Sequence, residues 1–541
     1  MQNAMFRPPS LAAVVTAARA GAIDHAKALF EAGGYDRRSD DPAALAVAGR
    51  LLKDQALRLP PGERRSAFYA SADAYARADQ LLPQPYTRIN QATLTLLGGE
   101  RDRASHLARE ILDWLDQGTA IPETPYFIAA IRAEAQLICG DLAGAHRALD
   151  EAMATDTGDW SDRASTLRQL RLILGVIGED AGWLDQYAAP RSLHFAGHLG
   201  ISVEDAGPLR AAIDAELAAR NIGFGFGALA AGADIIIAEQ LLAWGGELHV
   251  VLPTSADEFS RQSVKPYGAD WLQRFDTCLD AAATVTETAH VTGDYEPLAT
   301  LLASEVAMGA ACRNARYVDS EAVQLVVVDE GAGPYGDGTG TAVVAERWAA
   351  TGRQQAVLRC PRSATVVASG RRPDLEGRTD RRLVALLQIS FAGIDDLDEA
   401  RFAEAVDSVL TPFRKATAAL AVQPLMTLPV GNARIVAFAT TEAAWTYAAG
   451  LLALPPTILP LCIAGHYGLA HWFEHPSALV GRAVSQLGDL FASAMPGVLT
   501  VSEAFASALF VGCNEEIFAE WIGEVKDLRL YTVCPVRAGS A

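Results

Sequence analysis

The stretch FGFGALAAGADIIIAEQLLAWGGELHVVLP, residues 224–253, decides the reading of this chain. It opens on glycine-rich backbone, runs through a helix-length apolar segment and returns, after Gly245-Gly246, to an apolar strand that ends at Pro253. Glycine loop, helix and buried strand in that order are one winding of a parallel α/β sheet. The neighbouring sequence repeats the pattern. SLHFAG (192–197), ELHVVLP (247–253), ATVTET (283–288), QLVVVDE (324–330) and QAVLRC (355–360) are short strand-like runs separated by helix-length segments. Such sheets bind ligands at the carboxyl ends of their strands. Glycine loops fall there three times: HFAGHLG (194–200), the loop opening at 224, and QLVVVDEGAGPYGDGTGTAVVAERW (324–348). In the last, Gly338, Gly340 and Thr341 precede a helix, whose bare N–H groups and dipole favour a phosphate.

The candidate ligand-binding residues are therefore Gly197, His198, Gly227, Gly232, Asp234, Glu239, Pro253, Asp329, Gly338, Gly340 and Thr341. Asp234 and Glu239 are read as contacts to a ribose or a base; Asp234 reads equally well as an acidic residue at a helix start. His198 either meets a phosphate or holds its own loop by a hydrogen bond.

The whole chain has 541 residues, enough for three or four domains. Half of them are hydrophobic and a fifth charged, the profile of a folded chain. With 45 basic and 65 acidic residues the net charge is −20, which argues against nucleic acid as the main partner. Seven scattered cysteines without a CxxC pair fit a reducing cytoplasm better than a disulfide framework or a structural zinc site. MQNAMFRPPSLAAVV lacks the features of a secretory signal. Residues 443–465 carry no charge over 23 positions, but Pro455-Pro456 interrupts them; they read as a buried helix, a turn and a buried strand.

Upstream, residues 1–188 read as all-α. AGAIDHAKALFEAG (20–33), GGERDRASHLAREIL (98–112) and CGDLAGAHRALDEAM (139–153) look like helix–turn–helix repeats of tetratricopeptide type, with an irregular period. Within 84–108, the pattern of Tyr86, Ile89-Asn90, Ala92-Thr93-Leu94 and Gly98 resembles the TRAFs-binding region of apoptosis-signal-regulating kinases and bacterial relatives, which implies a regulatory scaffold that contacts a protein partner. The bland alternative is an ordinary pair of repeat helices.

The middle part, 189–365, resembles the SLOG superfamily of Rossmann-like domains, related to cytokinin-activating enzymes and to sensors of nucleotide-derived signals. GHLG (197–200), the 228–253 stretch, EFSRQSV (258–264) and VVVDEGAG…GTGTA carry the likeness. The family's enzymes have a glutamate three residues after the loop threonine; here that place holds Val344, and Glu346 comes two residues later. Relatives of this subgroup carry an acid just after the GH motif, where this chain has Gly200. The resemblance thus implies ligand binding rather than glycosidic hydrolysis.

VVASGRRPDLEGRTD (366–380) reads as a linker. Residues 381–541 resemble class III nucleotidyl cyclase domains, whose fold is a ferredoxin-like α/β sandwich active as a dimer. The landmarks are LLQISFAGIDDL (386–397), IAGHYG (463–468), MPGVLTVSEAFASAL (495–509) and RLYTV (529–533). A cyclase needs two metal-binding aspartates and an Asn…Arg pair. On the family's pattern these fall at Ser390, Asn432, Ser485 and Asp489, so all four are replaced. Asp395 and Asp396 are expected to cap the following helix rather than bind a cation. His466, His471 and His475 have no metal-site spacing, and Trp445, Trp472 and Trp521 are expected as core or interface anchors.

The expectation is a multidomain chain with an all-α helical repeat, a Rossmann-like α/β middle and a cyclase-like α/β end. It is a cytoplasmic signalling or sensor protein that binds a nucleotide-derived ligand, has a protein partner on its helical part and forms a homodimer, with no cofactor, metal, membrane or nucleic-acid partner. The alternatives are a nucleotide-processing enzyme, either residual cyclase or nucleoside-phosphate hydrolase, and a ligand-free scaffold.

Overall fold

The computed structural model describes residues 9–19, 23–117, 123–155, 160–289, 297–329, 340–362, 381–455, 459–513 and 517–535. The expected linker 366–380 and Gly338 lie outside the described residues. The chain divides into two compact units, 1–189 with 317–319 and 535–541, and 190–316 with 320–534.

The first unit is helical. Its elements are α1 (Leu11–Arg19), α2 (Ile23–Ala32), α3 (Pro42–Arg58), α4 (Arg64–Leu81), α5 (Pro85–Leu97), α6 (Arg101–Asp116), α7 (Pro125–Cys139), α8 (Leu142–Ala154) and α9 (Trp160–Ile177). Local signals start and stop them. Asp41, Thr124 and Asp141 accept backbone N–H groups at the starts of α3, α7 and α8, and Gly140, at φ 82°, ends α7. Small residues let the helices close on one another: a Cβ on Gly49 would lie 2.7 Å from the Tyr75 ring. In 84–108, Ala92, Thr93 and Leu94 are buried, the Asn90 amide donates to the Tyr86 carbonyl, and the Thr93 hydroxyl donates to Glu134. The first bond lies within α5 and the second ties α5 to α7.

The second unit contains two sheets. The first is built from β1 (Arg191–Gly197), α10 (Val203–Ala219), β2 (Ile222–Gly227), α11 (Ala233–Ala243), β3 (Glu247–Leu252), α12 (Ala256–Ser263), α13 (Ala269–Asp280), β4 (Thr284–Glu287), α14 (Pro297–Tyr317), β5 (Ala322–Val328), α15 (Gly340–Ala349) and β6 (Gln355–Arg359). The strand order is β4-β3-β2-β1-β5-β6, and every pair is parallel. Sequence reading took 224–227 as loop, whereas IGFGFG is β2. Its glycines admit neighbours that a side chain would exclude: a Cβ on Gly225 would lie 2.3 Å from Leu241, and one on Gly227 2.6 Å from the Phe195 ring.

The second sheet comprises β7 (Arg381–Phe391), β8 (Met426–Val430), β9 (Ala433–Phe438), β10 (Leu461–Glu474), β11 (Ser477–Val480), β12 (Leu499–Ser502), β13 (Ile517–Val525) and β14 (Leu528–Pro535). Its helices are α16 (Glu399–Ala405), α17 (Thr411–Ala418), α18 (Thr441–Leu452), α19 (Arg482–Phe491) and α20 (Glu503–Cys513). The order is β13-β14-β12-β10-β7-β9-β8, with β11 added to β10. The uncharged 443–465 stretch supplies most of α18 and the start of β10, and no described helix is long and apolar enough to cross a membrane. Trp445 and Trp472 are buried, while Trp521 on β13 is 54% exposed. All seven cysteines are free.

Helix α14 joins the two sheets. At Gly309 it approaches α20 so closely that a Cβ would lie 1.7 Å from the Ser507 carbonyl oxygen. One turn on, the Arg313 guanidinium pairs with Glu503 at 2.9 Å and lies over the Tyr531 ring at 4.5 Å. One turn back, the buried Glu305 pairs with Arg347 of α15, which also reaches Glu442 of α18 at 3.9 Å. Arg353 donates to the Val511 carbonyl at 2.7 Å.

Candidate functional site

The order of the parallel sheet reverses between β1 and β5, because β2 lies on one side of β1 and β5 on the other. The connections therefore leave a crevice at the carboxyl ends of those two strands. A cavity of about 330 Å³ occupies it, lined among others by Gly197, His198, Gly227, Asp234, Pro253, Tyr267, Gly340, Thr341 and Arg362. One wall is α14, through Thr300, Ala303, Ser304 and Ala307.

The loop after β1 is held against the start of α11 by close backbone contact. A Cβ on Gly197 would lie 2.3 Å from that of Ala233, and Gly232, at φ 143°, would bring one to 2.7 Å from the His198 carbonyl oxygen. Gly200 has φ 79°, and its N–H donates to the Ala231 carbonyl at 3.2 Å. Asp234 completes the clasp. Its Oδ1 accepts the Gly197 N–H at 2.7 Å and its Oδ2 the Ala230 N–H at 3.3 Å. Burial pushes its carboxyl up to about 7, against the pull of those two donors. Asp234 thus borders the cavity with both oxygens already bound to the protein's own backbone.

His198 is buried, and burial lowers its pKa. A neutral imidazole has one N–H; the shorter contact, Nε2 to the Cys360 carbonyl at 2.8 Å, takes it. This bond ties the end of β1 to the residue after β6. Nδ1 lies 3.1 Å from the Leu199 carbonyl.

Two expectations change. Glu239 does not line the cavity. It sits five residues after Asp234, on the outer side of α11, where Arg274 pairs with it at 2.6 Å and Arg210 at 3.5 Å. It stitches α11 to α10 and α13. Asp329 follows β5 and pairs with Arg362 Nε at 3.1 Å, so its charge positions an arginine. Arg362, three residues past β6, and Tyr267 were not foreseen. Burial raises the Tyr267 hydroxyl's pKa, while the Arg362 charge lowers it, which places the two groups close together. Arg362 is the one cationic side chain among the described residues lining the cavity.

Helix α15 begins at Gly340, whose Cβ position meets no described residue within 4 Å. Thr341 and Val344 line the cavity; Glu346 is exposed. The cleft thus brings together the start of α15, one arginine, several hydroxyls and the apolar Val344.

On the second sheet, Ser390 and Asn432 come together. Ser390 Oγ donates to the Asn432 carbonyl at 3.1 Å, and the Asn432 amide donates to Asp395 at 2.5 Å. The expected helix cap is Asp398, not Asp395 or Asp396: its side chain accepts the Arg401 N–H at 2.9 Å. Ser485 is exposed on α19, and Asp489 pairs with Lys526 at 2.7 Å. His466 is buried and bonded to Ser502, and His475 precedes a cis proline, Pro476. Among the described residues no group of three or more His, Cys, Asp or Glu is disposed to hold a metal ion.

No protein-family model matches the sequence, and no curated protein does. Among solved structures, the chain is similar to class III nucleotidyl cyclase domains. One is the guanylyl cyclase domain of the RhoGC fusion protein from Blastocladiella emersonii: 15% identity, 28% of this chain and 95% of that one, TM-score 0.24. Another is the adenylyl cyclase CyaB from P. aeruginosa: 13% identity, 29% and 97% covered, TM-score 0.24. A third is the adenylate/guanylate cyclase/hydrolase from Silicibacter pomeroyi: 20% identity, 29% and 98% covered, TM-score 0.22.

Proposed function

We propose that the chain is a signalling or sensor protein that binds a nucleotide-derived ligand in the crevice between β1 and β5. The observation that carries this reading is the convergence of the α15 start, with open space at Gly340, and the Arg362 guanidinium on one cavity at a switch point of the strand order. Backbone N–H groups and a cation in one crevice suit a phosphate. The acids nearby are already committed, Asp234 to backbone and Asp329 to arginine, which supports binding over acid–base chemistry. The second sheet acts in this reading as a cyclase-like module without cyclase chemistry that pairs with a second copy. The helical unit contacts a protein partner.

Thermal unfolding of the purified chain with a panel of nucleotides, dinucleotides and cyclic nucleotides tests the reading. A ligand at 100 times its dissociation constant should stabilise the native state by about 2.7 kcal/mol. Calorimetric titration with the best ligand then compares variants. Gly340→Asp adds bulk and like charge beside the phosphate and should abolish binding; Arg362→Gln should weaken it by about 1.5–3 kcal/mol. A panel without a single stabilising compound, or full affinity in folded Gly340→Asp protein, would overturn the assignment.

A further inference from the structure

A second cavity, of about 250 Å³, lies on the edge of the second sheet. Strand β10 is paired along one edge with β7 from Leu461 to His471. On its other edge β12 pairs only with 463–465 and β11 only with 471–474. Among the described residues, no strand covers 466–470 on that edge, and the cavity fills this gap.

The lining of the gap combines cationic and polar side chains with apolar ones, among them Leu302 and Leu469. Arg381 begins β7, Arg482 begins α19, His466 and His471 come from β10 and Gln486 from the second turn of α19; Thr288 follows β4 of the parallel sheet. No carboxylate is among the described lining residues, in a chain of net charge −20. Asp527 accepts from Arg482 at 2.5 Å.

The floor is built rather than incidental. His466 is 5% exposed, with Nδ1 against the Ser502 hydroxyl at 2.8 Å, and the Gln486 side chain hydrogen-bonds to it. Gly468 leaves room above it, since a Cβ there would lie 3.1 Å from His466 Nε2. Gly481, at φ 139°, turns the chain from β11 into α19 without a side-chain cap, so the first N–H groups of that helix open at the same gap.

Arg381 and Ser390 lie at opposite ends of β7, about 30 Å apart for an extended strand. The gap is therefore far from the Ser390–Asn432 end of the sheet. It is also lined by none of the residues of the β1–β5 crevice.

We propose that this gap is a binding site for a phosphate group, either free phosphate or a small phosphomonoester. Two guanidiniums and a helix start match a compact oxyanion. The volume is below that of most drug-sized ligand sites, which excludes a dinucleotide.

Calorimetric titration of the full chain with inorganic phosphate, ribose 5-phosphate and ribose tests this. The phosphate-bearing probes should bind saturably at a site separate from the β1–β5 crevice, and ribose should not. Arg381→Gln and Arg482→Gln should each weaken binding at this site at least tenfold, while Glu239→Gln, outside both cavities, leaves it unchanged. The two arginines sit on different elements, so a folding defect in one variant leaves the other informative. Tighter binding of ribose 5-phosphate assigns the site to a phosphomonoester, and equal affinity assigns it to free phosphate. Absence of saturable binding by both phosphate probes, equal binding of ribose, or undiminished affinity in both arginine variants overturns the proposal, whatever the nucleotide panel gives.

Discussion

Replacing Gly309 by alanine tests the joint between the two sheets with a single methyl group. The new Cβ would lie 1.7 Å from the Ser507 carbonyl oxygen, a backbone atom that cannot rotate away. Real Cβ contacts essentially never fall under 3.0 Å, so α14 and α20 must separate by roughly 1.3 Å. That displacement loosens the Arg313–Glu503 pair as well. Overpacking of this kind costs about 1–3 kcal/mol. Alanine in a helix returns about 1 kcal/mol relative to glycine. For so close a contact with a backbone atom the upper half of that range applies, about 2–3 kcal/mol, so the net expectation is a loss of about 1–2 kcal/mol, or a fall of roughly 0.5 M in the urea midpoint for an m-value near 3 kcal/mol/M. The control is Gly488→Ala in α19, where the Cβ meets nothing within 4 Å. It should raise stability by up to about 1 kcal/mol, since only the propensity remains. Opposite signs for the same substitution isolate the contact. A Gly309→Ala protein with an unchanged or higher midpoint would show that the two helices do not approach in this way.

Incubation with ATP or GTP and Mg²⁺ or Mn²⁺ should yield no cyclic product above a heat-treated control, because the positions where the cyclase resemblance expects metal-binding aspartates hold Ser390 and Asn432, and Asn432 already donates to Asp395. Metal-dependent turnover lost in Asp395→Ala would refute this. Glu239→Gln should lower stability by breaking the Arg274 pair yet leave ligand affinity in the crevice unchanged, as calorimetry would show. Burial holds His194 at about 3, so below pH 6.5 the unfolded chain takes up a proton there that the folded chain refuses. Stability from this group should therefore fall as the pH drops from 6.5 towards 3, by up to about 1.4 kcal/mol per unit, and His194→Gln should flatten that limb of the urea-midpoint profile.

The strands legible in the sequence were those written as apolar runs bounded by glycine or proline, such as QLVVVDE and ELHVVLP. β2 was not, because alternate glycines in IGFGFG serve packing by Leu241 and Phe195 and contribute no apolar side chain of their own. The glycine loops marked the crevice, but the identity of its charged members depended on which helix face each residue occupied. Glu239 is close to Asp234 in sequence and turned away from it by the helix. Arg362 was hidden for the opposite reason. It is distant from the loops in sequence and reaches them because β6 runs parallel to β5 and ends at the same edge. A charged residue just past a strand end is the signal that would have found it. Nothing in ASEVAMGAACRNAR announces that Gly309 meets another helix, since a glycine inside an apolar helix has no sequence mark for its neighbour.

Helix α14 has a consequence for how such a molecule would report a bound compound. One side of it carries Thr300 and Ser304 into the crevice; the other carries Glu305, Gly309 and Arg313 into the joint. A helix held on both flanks has no hinge, so occupancy of the crevice should leave the scattering profile of the second unit unchanged. The signal should surface as slower hydrogen exchange in α14, α15 and α20, a message carried by stiffness with no change of shape.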